Sequence, residues 1–309
     1  MLSHPLFASG ALIVIGCEEP THFGTGRAIG LVDLPIQRSS KTDLPIGQSG
    51  SVRGTFRSFL ELRGKESLAE ELFGPSPERG VPLTAGHLSF SDAKLLAMPV
   101  RSLVGLFCWV TSPWCLWELR RAINRLDYVG VKVSNPVPED LIKVEVKEGE
   151  ALIPQDSENV VDNKLILMDE AELTPKSNEK VTVFANNLLN LVAFDDEYLK
   201  AKFKRRLAVV RDDDFKYLTK RGLEVATRIG LTRETKTVRG RALWSEEYLP
   251  AMSILFCEVY FHPRRMTSEQ ASEVNKFREF LSEINGRRMF IGGKESVGRG
   301  LIYVRVVGP

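Results

Sequence analysis

An order of strand, helix, two strands, helix, strand constrains this chain more than any other feature of its sequence. The continuous apolar run from Ala11 to Cys17 reads as a first strand. Apolar residues then recur at helical spacing at Phe56, Phe59, Leu60 and Leu62, and extended segments follow from His87 to Met98 and from Leu103 to Val110. Near the other end, Met252 to Phe261 reads as a strand, Thr267 to Ile284 as a helix opened by a Thr-x-x-Gln box, and Leu301 to Val307 as a terminal strand. This order predicts an α+β fold with a ferredoxin-like core carrying insertions, a topology shared by many RNA-binding modules.

The prolines and glycines of GLVDLPIQRSSKTDLPIGQSGSVRG keep the chain irregular until a helix starts near Arg53, and that helix is expected over Thr55 to Leu72 with an interruption at Gly64. Thr111-Ser112-Pro113 has the form of an N-cap followed by an N1 proline. Behind it Trp114, Leu116, Trp117, Leu119 and Ile123 lie at helical spacing, and such a stripe reads as core rather than as a stacking platform for bases. A long helix is expected from Val183 to Arg206, then a strand at Leu207 to Val210 and a helix from Asp213 to Arg228. Thr232 to Arg241 is polar and basic between strand-like segments, which predicts a projecting hairpin over about 230–245.

The net charge of +2 hides opposite excesses. From Lys143 to Glu197 there are 13 acidic against 5 basic side chains, and from Lys200 to Arg241 there are 14 basic against 5 acidic. The second segment is a candidate polyanion binder, although charge alone fits a pair of solvated helices as well. The acidic stretch, about 143–180, has weak periodicity and reads as an insertion with short strands, one of them near Lys164 to Met168.

Several function classes are disfavoured. The longest apolar runs, ALIVIGC at 11–17 and GLFCWV at 105–110, fall short of the ~20 residues of a membrane helix, so no membrane span is expected. Met1 to Ser9 lacks the pattern of a secretory signal, and a cytoplasmic location is expected. Cys17, Cys108, Cys115 and Cys257 lack metal spacing and read as reduced core residues. HFGTGRAIG follows a strand, but Asp33-Leu34-Pro35 prevents the helix a dinucleotide fingerprint needs, so a dehydrogenase is rejected.

IGGKESVGRG, at 291–300, concentrates Gly292, Gly293, Gly298 and Gly300 before the last strand, with Lys294 and Arg299 adding charge. Such a loop can turn backbone N–H groups toward a phosphate, and it can equally be a turn without a ligand. It is not a Walker loop: Arg288 stands five positions before Gly293 and Glu295 follows Lys294.

Taken in order, PTHFGTG, GLVDLPIQR, GQSGSVRGTFR, HLSFSDAKLLAMPVRSLVGLFCWVTSP, VDNKLIL, ALWSEEYLP and IGGKESVGRG resemble signature segments of the RAMP superfamily. The resemblance covers almost the whole chain. SDAKLLAMPVRSL with ALWSEEYLP resembles the backbone subunit of the Cmr-type, type III-B CRISPR RNA-guided complexes. One departure is Ser51-Val52-Arg53-Gly54, where the family pattern is Ser-Leu-Lys-Gly. The exchange keeps the positive charge while changing reach and donor geometry.

The resemblance implies one domain over 1–309, a ferredoxin-like palm with an inserted helical or finger region and a β-hairpin thumb. Copies would stack head to tail along a guide RNA, beside other Cmr-type subunits, with a single-stranded target RNA paired to the guide. Ser49, Ser51, Arg53 and Arg57 would lie at guide phosphates with Gly292, Gly293, Lys294, Gly298, Arg299 and Gly300, and Arg239 would contact RNA from the thumb. By resemblance Asp33 is the catalytic carboxylate, binding a divalent ion (Mg or Mn) or activating a 2'-hydroxyl. Glu246 matches a second, supporting carboxylate, with Glu247 the adjacent candidate. From local sequence alone Asp33 would be a turn residue and Glu246 a surface carboxylate. His22 reads as a surface histidine of the loop, outside catalysis. Cleavage at regular intervals, leaving 2',3'-cyclic phosphate and 5'-hydroxyl ends, is the implied activity. The competing readings are a guide-binding scaffold that does not cut and a stand-alone nuclease that processes guide RNA.

Overall fold

The computed structural model describes residues 7–27, 30–75, 84–189, 191, 194–232, 234–235, 238–263 and 270–309. Strand β1 (Ser9–Cys17) passes through a long loop to a two-residue strand β2 (Ile46–Gly47) and helices α1 (Ser49–Leu62) and α2 (Glu66–Phe73). The helix expected over Thr55 to Leu72 is thus two, starting six residues earlier and broken where Gly64 adopts a positive φ. Strands β3 (Leu88–Phe90), β4 (Ala93–Arg101) and β5 (Phe107–Thr111) follow. The last begins at Phe107 rather than Leu103, because Gly105 and Leu106 both turn through left-handed conformations.

Helix α3 (Pro113–Asp127) opens at the expected proline and buries Leu116, Leu119 and Ile123, while Trp114 and Trp117 stay at its rim. After α4 (Glu139–Lys143), the acidic stretch folds as β6 (Glu150–Ile153), β7 (Val160–Val161), β8 (Lys164–Leu167) and β9 (Ala171–Ser177). The single helix expected over Val183 to Arg206 is instead α5 (Glu179–Leu188) and α6 (Glu197–Arg205). Asp196 starts α6 by accepting the Leu199 N–H at 2.8 Å, a cap that periodicity alone did not register.

Strand β10 (Leu207–Val210) leads to α7 (Asp212–Arg221), which ends seven residues before the expected Arg228, with Gly222 as its C-cap. The next residues form β11 (Glu224–Leu231), paired with β12 (Val238–Tyr248). Val225, Thr227 and Ile229 are β-branched at every second position, which suits a strand better than a helix. Strand β13 (Ile254–Phe261), helix α8 (Gln270–Ile284), β14 (Arg287–Phe290), a 3₁₀ turn (Glu295–Val297) and β15 (Leu301–Val307) complete the chain. The expected Thr267 box lies outside the described residues.

Strands β15, β1, β13 and β4 are adjacent and antiparallel, with Ile13 opposite Cys257 and Ile15 opposite Val304. In chain order these are the fourth, first, third and second strands of a βαββαβ unit, the expected ferredoxin-like arrangement. β14 extends the sheet on one side, and β5, β10, β6, β9, β8 and β7 extend it on the other.

Both faces are covered, which is why β1 has no polar alternation. Ala11, Ile13 and Ile15 pack with Phe56, Phe73, Phe277 and Phe280 of α1, α2 and α8, and Leu12 and Val14 pack with Leu119, Phe184 and Phe203 of α3, α5 and α6. Each fully buried side chain of this size contributes about 2–3 kcal/mol by leaving water. All four cysteines are buried and free, and burial raises the thiols of Cys17 and Cys115 to about 12. Among the described residues no helix is long and apolar enough to cross a membrane.

The β11–β12 hairpin forms its own two-stranded sheet. It is longer than the expected 230–245 hairpin, and residues 233, 236 and 237 near its tip lie outside the described residues. Because side chains alternate along a strand, Val225, Thr227, Ile229, Leu243, Ser245 and Glu247 share one face. Ala226, Arg228, Trp244 and Glu246 share the other. Val225, Ile229 and Leu243 are all more than half exposed.

Candidate active site at the root of the hairpin

The loop after β1 returns to the base of the hairpin and binds it along the backbone. Thr21 bridges Leu249, and Leu34 lies parallel to Glu246. The Leu34 N–H donates to the Ser245 carbonyl at 3.0 Å, and the Glu247 N–H donates to the Leu34 carbonyl at 3.0 Å. This pairing sets Asp33 beside Ser245. Asp33 Oδ2 accepts from the Ser245 N–H at 2.8 Å and from its hydroxyl at 2.9 Å, while the Asp33 N–H meets the same hydroxyl oxygen at 3.1 Å. The two bonds from Ser245, backbone first, hold the exposed Asp33 carboxyl below its ordinary range, and Arg27 adds to the effect.

Glu246 points the other way and is 1% exposed. Its Oε1 accepts from Lys294 Nζ at 2.6 Å and Trp244 Nε1 at 2.7 Å, and its Oε2 accepts from the Tyr248 hydroxyl and from Arg228 Nε at 3.3 Å. Burial alone would raise this carboxyl. The bonds from Lys294, Tyr248 and Trp244 outweigh burial and hold it at about 2. Glu246 is therefore a charged hub joining hairpin to glycine-rich loop, not the surface group its local sequence suggested. Glu247, on the Asp33 side, accepts the Ile36 N–H at 3.1 Å and so fixes the far end of the Asp33 loop.

The glycine-rich loop packs against residue 22. The Gly293 N–H donates to the His22 carbonyl at 2.9 Å, and a side chain on Gly292 would meet that carbonyl oxygen at 2.4 Å. Gly300 has a positive φ and would bring a Cβ within 2.2 Å of the Ile291 carbonyl. These two glycines thus answer to their own chain, whereas a Cβ on Gly298 would meet nothing within 4 Å. His22, expected at the surface, is 6% exposed, and its Nδ1 donates to the Glu247 carbonyl at 2.7 Å. Arg299 lies over the Tyr248 ring at 4.8 Å with its Nε buried and unpartnered.

Ser49 and Ser51 occupy the first turn of α1, where backbone N–H groups lack partners within the helix. The Ser49 N–H donates to Asp92 at 2.8 Å. Arg53 lies a turn further on, bonded to the Phe73 carbonyl, and burial together with the nearby Arg57 lowers its pKa. Arg57 pairs with Glu61 at 2.8 Å, but its Nη2 is buried without a partner. Gln37 ties this helix start to the loop that carries Asp33: its side chain accepts the Gln48 N–H at 3.1 Å and donates to the Gly24 carbonyl at 2.9 Å. Arg239 belongs to β12, and its side chain lies outside the described residues.

The structure therefore links Asp33, Glu246, Lys294 and the start of α1 through one hydrogen-bonded framework. Sequence reasoning missed Ser245, Gln37, Arg228, Trp244 and Tyr248. The available signal was alternation in WSEEY: once Glu246 faces inward, Trp244 and Tyr248 share its side and Ser245 faces the opposite one. Among the described residues no three of His, Cys, Asp and Glu converge to hold a metal ion. Asp33 alone does not make a resident site for the expected Mg or Mn ion.

A family model described as the RAMP superfamily matches residues 15–303. The chain is 35% identical over 287 residues to the CRISPR system Cmr endoribonuclease Cmr4 of Pyrococcus furiosus, covering 92% of this chain and 91% of that protein. It resembles the crystal structure of oligomeric Cmr4 from Pyrococcus furiosus with a TM-score of 0.71 at 27% identity, over 97% of this chain and 98% of that one. A chain in the cryo-EM structure of type III-B Cmr-beta bound to cognate target RNA shares the fold with a TM-score of 0.76 at 23% identity, over 98% of both chains.

Proposed function

The chain belongs to the RAMP superfamily, in the group of Cmr4 proteins, and from that premise we propose that it is the repeating backbone subunit of a type III-B CRISPR effector and cuts target RNA paired to a guide. Copies of residues 1–309, each one domain, stack head to tail along the guide beside other Cmr-type subunits in the cytoplasm. The first turn of α1 with Arg53 and Arg57, and the open part of the glycine-rich loop at Gly298, bind guide phosphates without reading bases. Arg57 Nη2, buried without a partner, supports that assignment.

One observation carries the cutting reading: an exposed, ionised Asp33 is clamped at the root of a hairpin whose exposed Ile229 and Leu243 share the face of the clamp. The apolar pair displaces a base pair of the guide–target duplex, freeing the target backbone to bring a 2'-oxygen in line with its own 3'-phosphate. Asp33 accepts a hydrogen bond from that 2'-hydroxyl and takes its proton as the 2'-oxygen bonds to phosphorus. The bond from phosphorus to the 5'-oxygen breaks, and the leaving oxygen takes a proton from water. The ends are a 2',3'-cyclic phosphate and a 5'-hydroxyl. Because Asp33 is held below the usual carboxylate range, it is a weak base that stays charged, suited to orienting the hydroxyl and accepting its proton late. Glu246 supports the site through Lys294 and Arg228 without touching the RNA.

The test is target cutting by the assembled complex carrying Asp33→Ala. Loss of regularly spaced cuts with guide and target still bound supports the reading. Unchanged cutting leaves the chain a scaffold.

A further inference from the structure

We propose that Ser245 is the positioning residue for Asp33, locking the carboxylate to the hairpin strand that carries the apolar pair. This inference rests on the cutting role proposed for Asp33 and adds the group that makes that carboxylate usable. The backbone bonds at Leu34 and Glu247 hold the loop in place, but they do not set the rotamer of the Asp33 side chain. Every hydrogen bond to that carboxylate from another residue among those described comes from Ser245, and both fall on Oδ2. Leu31, two residues before Asp33, is fully exposed and so adds no restraint to the loop.

The lock is reciprocal. One hydroxyl gives its proton to Asp33 Oδ2 at 2.9 Å and receives the Asp33 N–H at 3.1 Å. A single small group with one donor and free lone pairs can do both, as serine and threonine can and alanine cannot. With Oδ2 occupied, the other oxygen is left for an incoming hydroxyl.

The position of the lock also matters. Ser245 lies two residues from Leu243 on the same face of β12, about 7 Å along a strand. Leu243 pairs directly with Ile229. The carboxylate and the apolar pair are therefore carried by one rigid element, so seating the hairpin against RNA seats Asp33 at a fixed distance from the nucleotide it displaces. Without the hydroxyl, Asp33 would keep only the bond from the Ser245 N–H at 2.8 Å, would be free to pivot about that one contact, and would spend less time in reach of the 2'-oxygen.

The experiment compares Ser245→Ala, Ser245→Thr and Asp33→Ala in the fully assembled complex, measuring single-turnover cutting across a range of target concentrations. For Ser245→Ala the maximal rate is expected to fall about tenfold, a change of about 1.4 kcal/mol in the barrier, with the half-saturating target concentration unchanged. Threonine keeps the hydroxyl and suits a strand, so Ser245→Thr is expected to recover the rate to within about threefold. Wild-type cutting by Ser245→Ala beside an inactive Asp33→Ala would overturn the role of Ser245 alone. An equal loss in the alanine and threonine variants, or a loss confined to target affinity, would overturn it too. Full cutting by Asp33→Ala would instead overturn the functional reading underneath.

Discussion

Ser245 and Glu246 are neighbours on one strand, yet they serve opposite faces of the hairpin. On the Ser245 side the carboxylate of Asp33 is exposed and has an oxygen to spare, and three hairpin side chains of that face, Val225, Ile229 and Leu243, are apolar and open to solvent. On the Glu246 side the carboxylate is buried and bonded by four donors, which fills its acceptor sites and leaves it a very weak base. The contrast teaches that charge and proximity do not make a catalytic group. A carboxylate with unsatisfied capacity facing solvent can do chemistry, whereas a saturated one can only hold other groups in place.

The sharpest way to break this comparison is to exchange its effects. Asp33→Ala should lower cutting by at least about 100-fold, as for loss of a proton acceptor. It should leave stability within about 0.5 kcal/mol, because the side chain is exposed. Glu246→Ala should do the reverse. By leaving Lys294 and Arg228 without their buried partner it should cost about 3 kcal/mol in denaturant unfolding, near the low end for a broken buried pair because both cations are partly exposed. A Glu246→Ala protein as stable as wild type, or an Asp33→Ala protein that unfolds early, would erase the distinction.

Acid sharpens the same contrast. Glu246 is held at about 2, below its ordinary value of 4.5. The lowered group binds its proton more weakly when folded than when unfolded. Its contribution to stability is therefore complete above the ordinary carboxylate range and is lost as pH falls from about 4.5 toward 2. Glu246→Ala should flatten the acid side of the stability curve over that window. An unchanged acid limb would mean that the hub contributes no charge-dependent stability.

The smallest effect on cutting is expected at the exposed apolar pair, where the fold should be as little disturbed as by Asp33→Ala. Ile229→Ser with Leu243→Ser should change stability by no more than about 0.5 kcal/mol. Cutting should fall at least tenfold while guide binding persists, since the displaced nucleotide would lose its wedge. Normal cutting by this double variant would separate the carboxylate from the hairpin face.

How much of this could be read from the sequence follows the kind of signal involved. The four core strands were legible because runs such as ALIVIGC tolerate no other placement, and their order gave the topology. The ends of helices were less so. Asp196 and Gly222 decide where α6 begins and α7 stops through one hydrogen bond and one flexible residue, against longer-range periodicity that favours continuation. At the site, Asp33 was legible through family resemblance alone, because a short Asp-Leu-Pro turn looks ordinary. Burial of Glu246 and His22 was not legible, since it depends on residues more than 200 positions apart, such as His22 and Glu247.

The most direct measurement of the central claim is the structure of the assembled complex with guide and an uncleaved target, carrying a 2'-deoxy nucleotide at the cut position. The account predicts that the Asp33 carboxylate, still held by Ser245, lies within about 4 Å of the sugar carbon that would bear the 2'-oxygen, consistent with hydrogen-bond reach of the missing hydroxyl. The Glu246 carboxylate should remain bonded to Lys294 and Arg228 on the far side of the strand. A displaced nucleotide remote from Asp33, or a Glu246 carboxylate turned toward the linkage, would contradict it.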